Sequence, residues 1–242
     1  MVEKAEKFDG VEWLKRKGLF VSSWKRKIEL TKRNLENKIV LDAGCGIGIE
    51  TNYFSGFTRE IYGMDISIDS VKTAKYKHDA KNLFFELGNV DQIPHKDSTF
   101  DVVYSNWVVE HLKDPQKFIN EAYRVIKPGG ILILWAPNVN SIEGFFIKIV
   151  PYSLKVPILK ILRQRDNVSE LKCYYRANSI RKLDRLCKGK FERVYLERFD
   201  HISYYRYFRS LSYFWLLRNK LLTNHLLNWM LPVFYVEYKK CL

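Results

Sequence analysis

The residues of this chain best equipped for chemistry gather in its first third. In the stretch VLDAGCGIGIE, Val40 to Glu50, a carboxylate at Asp42 is followed by glycines at 44, 46 and 48. Glycines this dense behind a strand-like run imply a backbone that a ligand approaches closely. Two familiar phosphate cradles fail on spacing. A dinucleotide loop wants G-x-G-x-x-G, whereas here the order is Gly44-x-Gly46-x-Gly48, with Ile49 where the last glycine belongs. A Walker-type loop ends in Gly-Lys-Ser/Thr, and no lysine lies between residues 39 and 58. Asp42, at the tip of the strand, repels a pyrophosphate but suits an ammonium or a sulfonium. Asp65 stands 21 residues after Gly44, where an acid accepts ribose hydroxyls. The set describes a ligand with a ribose, a positive charge and no phosphate.

Those residues need a scaffold, and the pattern around them supplies one. A basic helical segment over 1–37 leads into the β-branched run IVLDAG. Strands are then expected at 60–67, 82–90, 100–107 and 131–138, alternating with helices at 47–56, 67–80 and about 115–126. Ser67 or Asp69 caps the second of these helices, and KPGG reads as a turn before the fifth strand. Alternation at this spacing makes a parallel, doubly wound α/β sheet with helices on both faces. After Asn138 an apolar and basic insertion interrupts it, order returns with a helix near 178–189 and a strand at 191–199, and 233–240 reads as a last strand.

Four stretches, taken in order, resemble the class I S-adenosylmethionine-dependent methyltransferases, in particular their type 11 small-molecule branch. VLDAGCGIG is similar to the first motif, YGMDIS to the ribose-binding acidic loop, LGNVDQIPHKDSTFDVVYSNWVVEHLKDP to the adenine loop and fourth strand, and KPGGILILWAPN to the fifth strand. The resemblance is continuous over 38–140 and returns weakly at 174–199, where the YYRAN segment also looks similar to methyltransferases of surface-polysaccharide pathways. It implies a Rossmann-like, seven-stranded sheet with an antiparallel last strand, and S-adenosyl-L-methionine as cofactor. Under it the chain is one methyltransferase domain over 1–242, with insertions at 139–176 and 200–231 forming a helical cap for the acceptor.

Carried over residue by residue, Asp42, Gly44, Cys45, Gly46 and Gly48 face the methionine end of the cofactor, and Asn106 sits beside it. Asp65 takes the ribose hydroxyls with Ile66 next to it, and Asn89 and Val90 hold the adenine. The family has Gly-Asp-Ala in that last loop. Asn89 replaces the acid and keeps an acceptor without its charge, with Asp91 as a compensating acid.

Methyl transfer from a sulfonium is an in-line displacement, so the protein chiefly aligns an acceptor and excludes water. A base is needed only where the acceptor holds its proton tightly. His111, in EHLKD after the fourth strand, is the candidate, with Glu110 to orient it, and Trp107, Tyr174, Tyr175 and Arg176 are the candidate acceptor contacts. Base methylation in nucleic acids is disfavoured. The fourth strand ends Tyr104-Ser105-Asn106-Trp107, without the Pro-Pro-aromatic motif that stacks a flipped base, and no cysteine nucleophile lies nearby.

Charge and cysteines bound the setting. Residues 1–140 carry 21 Lys/Arg against 19 Asp/Glu, whereas 141–242 carry 20 against 8, so +12 of the +14 net charge lies in residues 141–242. The asymmetry points to an anionic partner, a solvated basic surface being the alternative. Lysines 148, 155 and 160 among bulky apolar residues, and Arg206 and Arg209 among aromatics, suit an anionic membrane surface or a lipid-linked acceptor, as they also suit a cap packed on the sheet. Four scattered cysteines form no metal or disulfide pattern, and no apolar leader or 18-residue apolar span is visible. The expectation is a cytoplasmic enzyme, peripheral at a membrane, that O-methylates a glycan or glycolipid, with a quinone-type C-methyltransferase as the alternative. A non-catalytic adaptor with the same fold is the alternative from another class.

Overall fold

A computed structural model describes residues 23–149, 172–200 and 227–241. In chain order its elements are α1 (Ser23–Leu35), β1 (Ile39–Ala43), α2 (Ile49–Ser55), β2 (Glu60–Asp65), α3 (Ile68–Lys77), β3 (Leu83–Leu87) and β4 (Phe100–Asn106). There follow a 3₁₀ turn (Val109–His111), α4 (Pro115–Val125), β5 (Ile126–Pro137), α5 (Ile142–Ile149), α6 (Ile180–Cys187), β6 (Phe191–Phe199) and β7 (Val233–Lys240). The chain divides into two compact units. One takes in 25–137, 172–197 and the chain from 234, and carries most of the sheet; the other includes the described residues 138–149 and 227–233. Most of the expected cap insertions, with Lys155, Lys160, Arg206 and Arg209, lie outside the described residues.

The seven strands run in the order β3-β2-β1-β4-β5-β7-β6, with the last strand of the chain antiparallel. β1 pairs in parallel with both β2 and β4, β2 with β3, and β4 with β5. The chain thus winds outward from β1 to β3, then crosses back to start again at β4. At such a switch point the loops leave in opposite directions, opening a crevice beyond the carboxyl ends of the strands. Asp42, Asp65 and Asn106 all lie at that end of their strands.

Strands covered on both faces read as continuous apolar runs, and Leu132 to Ala136 of β5 are all buried. α4 starts on Pro115, whose missing N–H costs nothing at a first turn, with Asp114 accepting from the Gln116 N–H at 3.1 Å. Its buried stripe of Phe118, Ile119, Ala122 and Val125 joins Leu41, Val103, Leu132 and Phe234 in the core. Ser67, rather than Asp69, caps α3, accepting from Ser70 N–H at 3.2 Å. α1 is tied to the far edge of the same unit: Arg26 grips Glu197 with two hydrogen bonds, and Arg33 and Asn34 both donate to Glu237.

One boundary departs from expectation. β5 begins at Ile126, not 131, because Ile126 pairs with Phe100 while Ile131 pairs with Val102. The KPGG residues Lys127 to Gly130 therefore bulge out within the strand instead of preceding it. Gly129 takes φ +74°, and a side chain at Gly130 would come within 2.6 Å of the Asp101 carbonyl.

Candidate active site

Strand register sets the glycine loop beside the end of β4. Asp42 lies opposite Tyr104, so Gly44 comes level with Asn106, and the Ser105 hydroxyl ties the strands by donating to the Ala43 carbonyl at 2.9 Å. The loop is pinned to β2, where Gly44 N–H and Cys45 N–H both donate to the Met64 carbonyl (2.7 and 3.0 Å). At Gly44, φ is +87° and an added Cβ would lie 2.2 Å from Val108. Gly46 also has positive φ, yet a Cβ there would meet nothing within 4 Å. Its backbone faces open space.

Asp65 is held from both sides. Its Oδ2 accepts from Gly46 N–H at 2.8 Å and its Oδ1 from Ser67 N–H at 2.9 Å. Each oxygen keeps a lone pair, so the carboxylate is aimed and still able to accept a pair of hydroxyls. Ile66 beside it is 63% exposed, an apolar surface next to a polar one. In the loop after β3, Asn89 is exposed and its side-chain oxygen accepts from Asp91 N–H at 2.9 Å. Val90 is buried in the core, so any contact it makes with a ligand is through its backbone. Asp91 keeps a buried Oδ1 without a hydrogen-bond partner, and burial raises its pKa.

Asp42 does not open onto the loop as a bare carboxylate. It is buried, accepts from the Thr51 hydroxyl at 2.7 Å, and burial pushes its pKa up to about 7. Cys45 is half-buried and its thiol is likewise pushed up by burial, so it is not a nucleophile.

Beneath the loop lies a polar cluster that sequence reasoning missed. Glu50, in the first turn of α2, accepts from Lys27 Nζ (2.7 Å) and Asn106 Nδ2 (3.1 Å) on Oε1, and from the Tyr104 hydroxyl (2.6 Å) on Oε2. Lys27 is only 4% exposed and its ammonium lies over the Trp135 and Tyr104 rings (5.1 and 5.8 Å to the centroids). The signal was present in part. Lys27, Thr31 and Leu35 repeat every fourth residue on the buried face of α1, so a basic residue stands in an apolar stripe.

A second group forms after β4. Trp107 takes φ +56°, a left-handed turn that costs a non-glycine residue about 1 kcal/mol or more, and its N–H donates to the Trp135 carbonyl at 2.9 Å. The chain at 172–176 docks onto the 3₁₀ turn, with Tyr174 N–H and Tyr175 N–H both donating to the Glu110 carbonyl (2.7 and 3.1 Å) and Arg176 to the Lys113 carbonyl at 2.8 Å. His111 Nδ1 lies 3.2 Å from the Lys172 carbonyl and 3.5 Å from Cys173 Sγ. The carbonyl can only accept, so Nδ1 is the donor, and in the neutral tautomer that meets it the free lone pair is on Nε2. Glu110 does not orient His111 with its side chain. The carboxyl is buried, its Oε2 lacks a partner, and burial pushes its pKa up to about 7.

The geometry thus brings Asp65, Ile66, the Gly44–Gly48 backbone and Asn106 together at the switch point, and His111 together with Tyr174, Tyr175 and Arg176 beyond β4. Asn106 Oδ1 is buried and unpartnered, an acceptor awaiting a donor. With the open space at Gly46 and the spare lone pairs of Asp65, it fits a nucleoside carrying a cationic amino-acid end. Among the described residues, no group of three or more His, Cys, Asp or Glu is placed to hold a metal ion.

Residues 41–134 match the family model described as a methyltransferase domain. They are a methyltransferase domain, and the sheet that carries them has the class I S-adenosylmethionine-dependent methyltransferase fold; S-adenosylmethionine is the cofactor that this family and fold imply. The chain is 33% identical over 93 residues to a malonyl-[acyl-carrier protein] O-methyltransferase of Salmonella typhimurium, covering 38% of this chain and 36% of that one. It is 31% identical over 122 residues to a ubiquinone biosynthesis O-methyltransferase of Maricaulis maris, covering 49% and 48%. The matches thus span less than half the length of these relatives. A crystal structure of an S-adenosylmethionine-dependent methyltransferase from Methanosarcina mazei superposes with a TM-score of 0.59 at 20% identity, over 88% of this chain and 97% of that one.

Proposed function

We propose that this protein transfers a methyl group from S-adenosylmethionine to a hydroxyl oxygen of a small or lipid-linked acceptor, a glycan or glycolipid being the acceptor class. The cofactor, when bound, supplies a methyl already activated on a sulfonium. The chain's own residues supply the rest. Asp65, Ile66, Asn89 and Val90 hold the nucleoside, the Gly44–Gly48 backbone, Cys45, Asp42 and Asn106 border the amino-acid end, and Trp107, Tyr174, Tyr175 and Arg176 face the acceptor. His111 Nε2 takes the hydroxyl proton. The observation that carries the oxygen reading is the His111 Nδ1 contact with the Lys172 carbonyl, which leaves Nε2 as the proton acceptor an alcohol needs. The ubiquinone biosynthesis O-methyltransferase among the relatives supports it.

Two measurements test it. S-adenosylhomocysteine should raise the melting temperature, as any ligand selective for the folded state does, while NAD should not; stabilisation by NAD alone would overturn the cofactor reading. Transfer of radiolabelled methyl groups into total lipid and glycan extracts should then give label that survives mild alkali, as methyl ethers do. Label lost in alkali would mark methyl esters and sink the hydroxyl acceptor.

A further inference from the structure

The Lys27–Glu50 pair is an odd thing to bury. Removing two ions from water is costly, and an apolar pair of similar volume is often as stable. Lys27 is 4% exposed, and burial lowers its pKa against the raising effect of Glu50 and Asp42. Core stability alone does not account for it.

Its geometry does. The Glu50 carboxylate is acceptor-only and takes three donors, from Lys27, Tyr104 and Asn106. Asn106 is the one partner that could turn round, since its amide nitrogen and oxygen are nearly the same size. Facing a carboxylate, it must present nitrogen. Its oxygen is then directed the other way, where it is buried and has no partner, level with Gly44. Lys27 donates to that same Glu50 Oε1 at 2.7 Å and holds it in place as the acceptor facing the amide, and so keeps the amide from turning.

We infer that Lys27 and Glu50 are positioning residues for the amino-acid end of the cofactor: they lock the Asn106 amide so that its carbonyl oxygen is the atom offered to the cofactor's ammonium. The inference rests on the S-adenosylmethionine reading and adds two residues to it. It explains why the orphaned atom is an acceptor, since a flipped amide would offer N–H donors to a cation.

Two ligands isolate this effect. S-adenosylhomocysteine carries the amino-acid end, and 5′-methylthioadenosine has the same nucleoside and thioether without it. Calorimetric titration of Glu50→Leu, which removes the acceptor facing Asn106, should show S-adenosylhomocysteine binding about tenfold weaker, the scale of one hydrogen bond to a charged group, with methylthioadenosine within about twofold of wild type. Because Glu50→Leu leaves a buried ammonium unpaired and can disturb folding, the double variant Lys27→Met with Glu50→Leu is the second arm. It should fold, melting somewhat below wild type because the buried Tyr104 hydroxyl loses its acceptor, and show the same selective loss. Equal losses for both ligands, or no loss for either, would overturn the inference while leaving the cofactor reading standing. Wild-type protein that binds neither ligand would remove the cofactor reading and the inference with it.

Discussion

Glu110 shows how a single side chain can set the pH response of this fold. Its carboxyl is 3% exposed, its Oε2 has no partner, and burial pushes the pKa from 4.5 up to about 7. The folded protein therefore holds a proton that the unfolded chain releases at mid-range pH. Stability from this group is full below pH 4.5 and is lost as pH climbs through about 7. Glu110→Gln keeps the shape and cannot ionise. Chemical unfolding should show the variant gaining on wild type by up to about 3 kcal/mol between acid and mildly alkaline pH. A difference that stays flat with pH would show that Glu110 ionises normally. His111 sits on the same turn, and the role of base proposed for it puts its effect on rate. His111→Gln should retain affinity for S-adenosylhomocysteine and lose transfer to a hydroxyl acceptor by about a hundredfold or more, the usual share of one general base.

The glycine loop is the element on which two kinds of requirement meet, and substitutions can separate them. Gly48 opens α2 at φ +76°, and a Cβ there would lie 2.5 Å from the Phe85 ring. Gly46 has φ +55° but open space around it. Gly48→Ala should thus cost stability, about 2 kcal/mol or more from backbone strain and the displaced ring, read as a lower melting temperature. Gly46→Ala should cost about 1 kcal/mol of folding and weaken S-adenosylhomocysteine further, because the methyl occupies the space a ligand needs. If the two variants lost stability and affinity in the same proportion, the open side of Gly46 would not be a ligand surface. This loop is legible in the amino-acid sequence, because its glycine spacing and the acid at 65 are local patterns. The Lys27–Glu50–Tyr104 cluster is not. Its partners come from α1, α2 and β4, brought together only by the winding of the sheet, and one lysine in a lysine-rich helix carries no mark of burial beyond its place in the stripe. The early start of β5 is hidden for a related reason, since Ile126 is a strand residue only because Phe100 lies beside it.

For the whole molecule, sheet order and charge follow from different properties of the chain and lead to different tests. Alternating strand and helix patterns place β6 at Phe191–Phe199 and β7 at Val233–Lys240 with the expected ends, because Gly189 and Lys190 precede the first run and Asp200 follows it, while Pro232 precedes the second. Charge follows no such pattern. Residues 141–242 hold 20 Lys/Arg against 8 Asp/Glu, with aromatic and aliphatic residues between them. Among the described residues no helix is long and apolar enough to cross a membrane, so any attraction to a lipid surface has to come from charge and interfacial side chains. Basic residues near an anionic bilayer contribute about 1 kcal/mol each, and the attraction falls off over about one Debye length, roughly 10 Å at 0.1 M salt. If a lipid-linked acceptor is the substrate, the protein should co-sediment with phosphatidylglycerol-containing vesicles at low salt, stay in solution with phosphatidylcholine alone, and be released as salt approaches 0.5 M, roughly where screening shortens that length to a few ångströms. Failure to sediment with the anionic vesicles at low salt would leave the basic charge as a solvated surface and favour a freely diffusing acceptor.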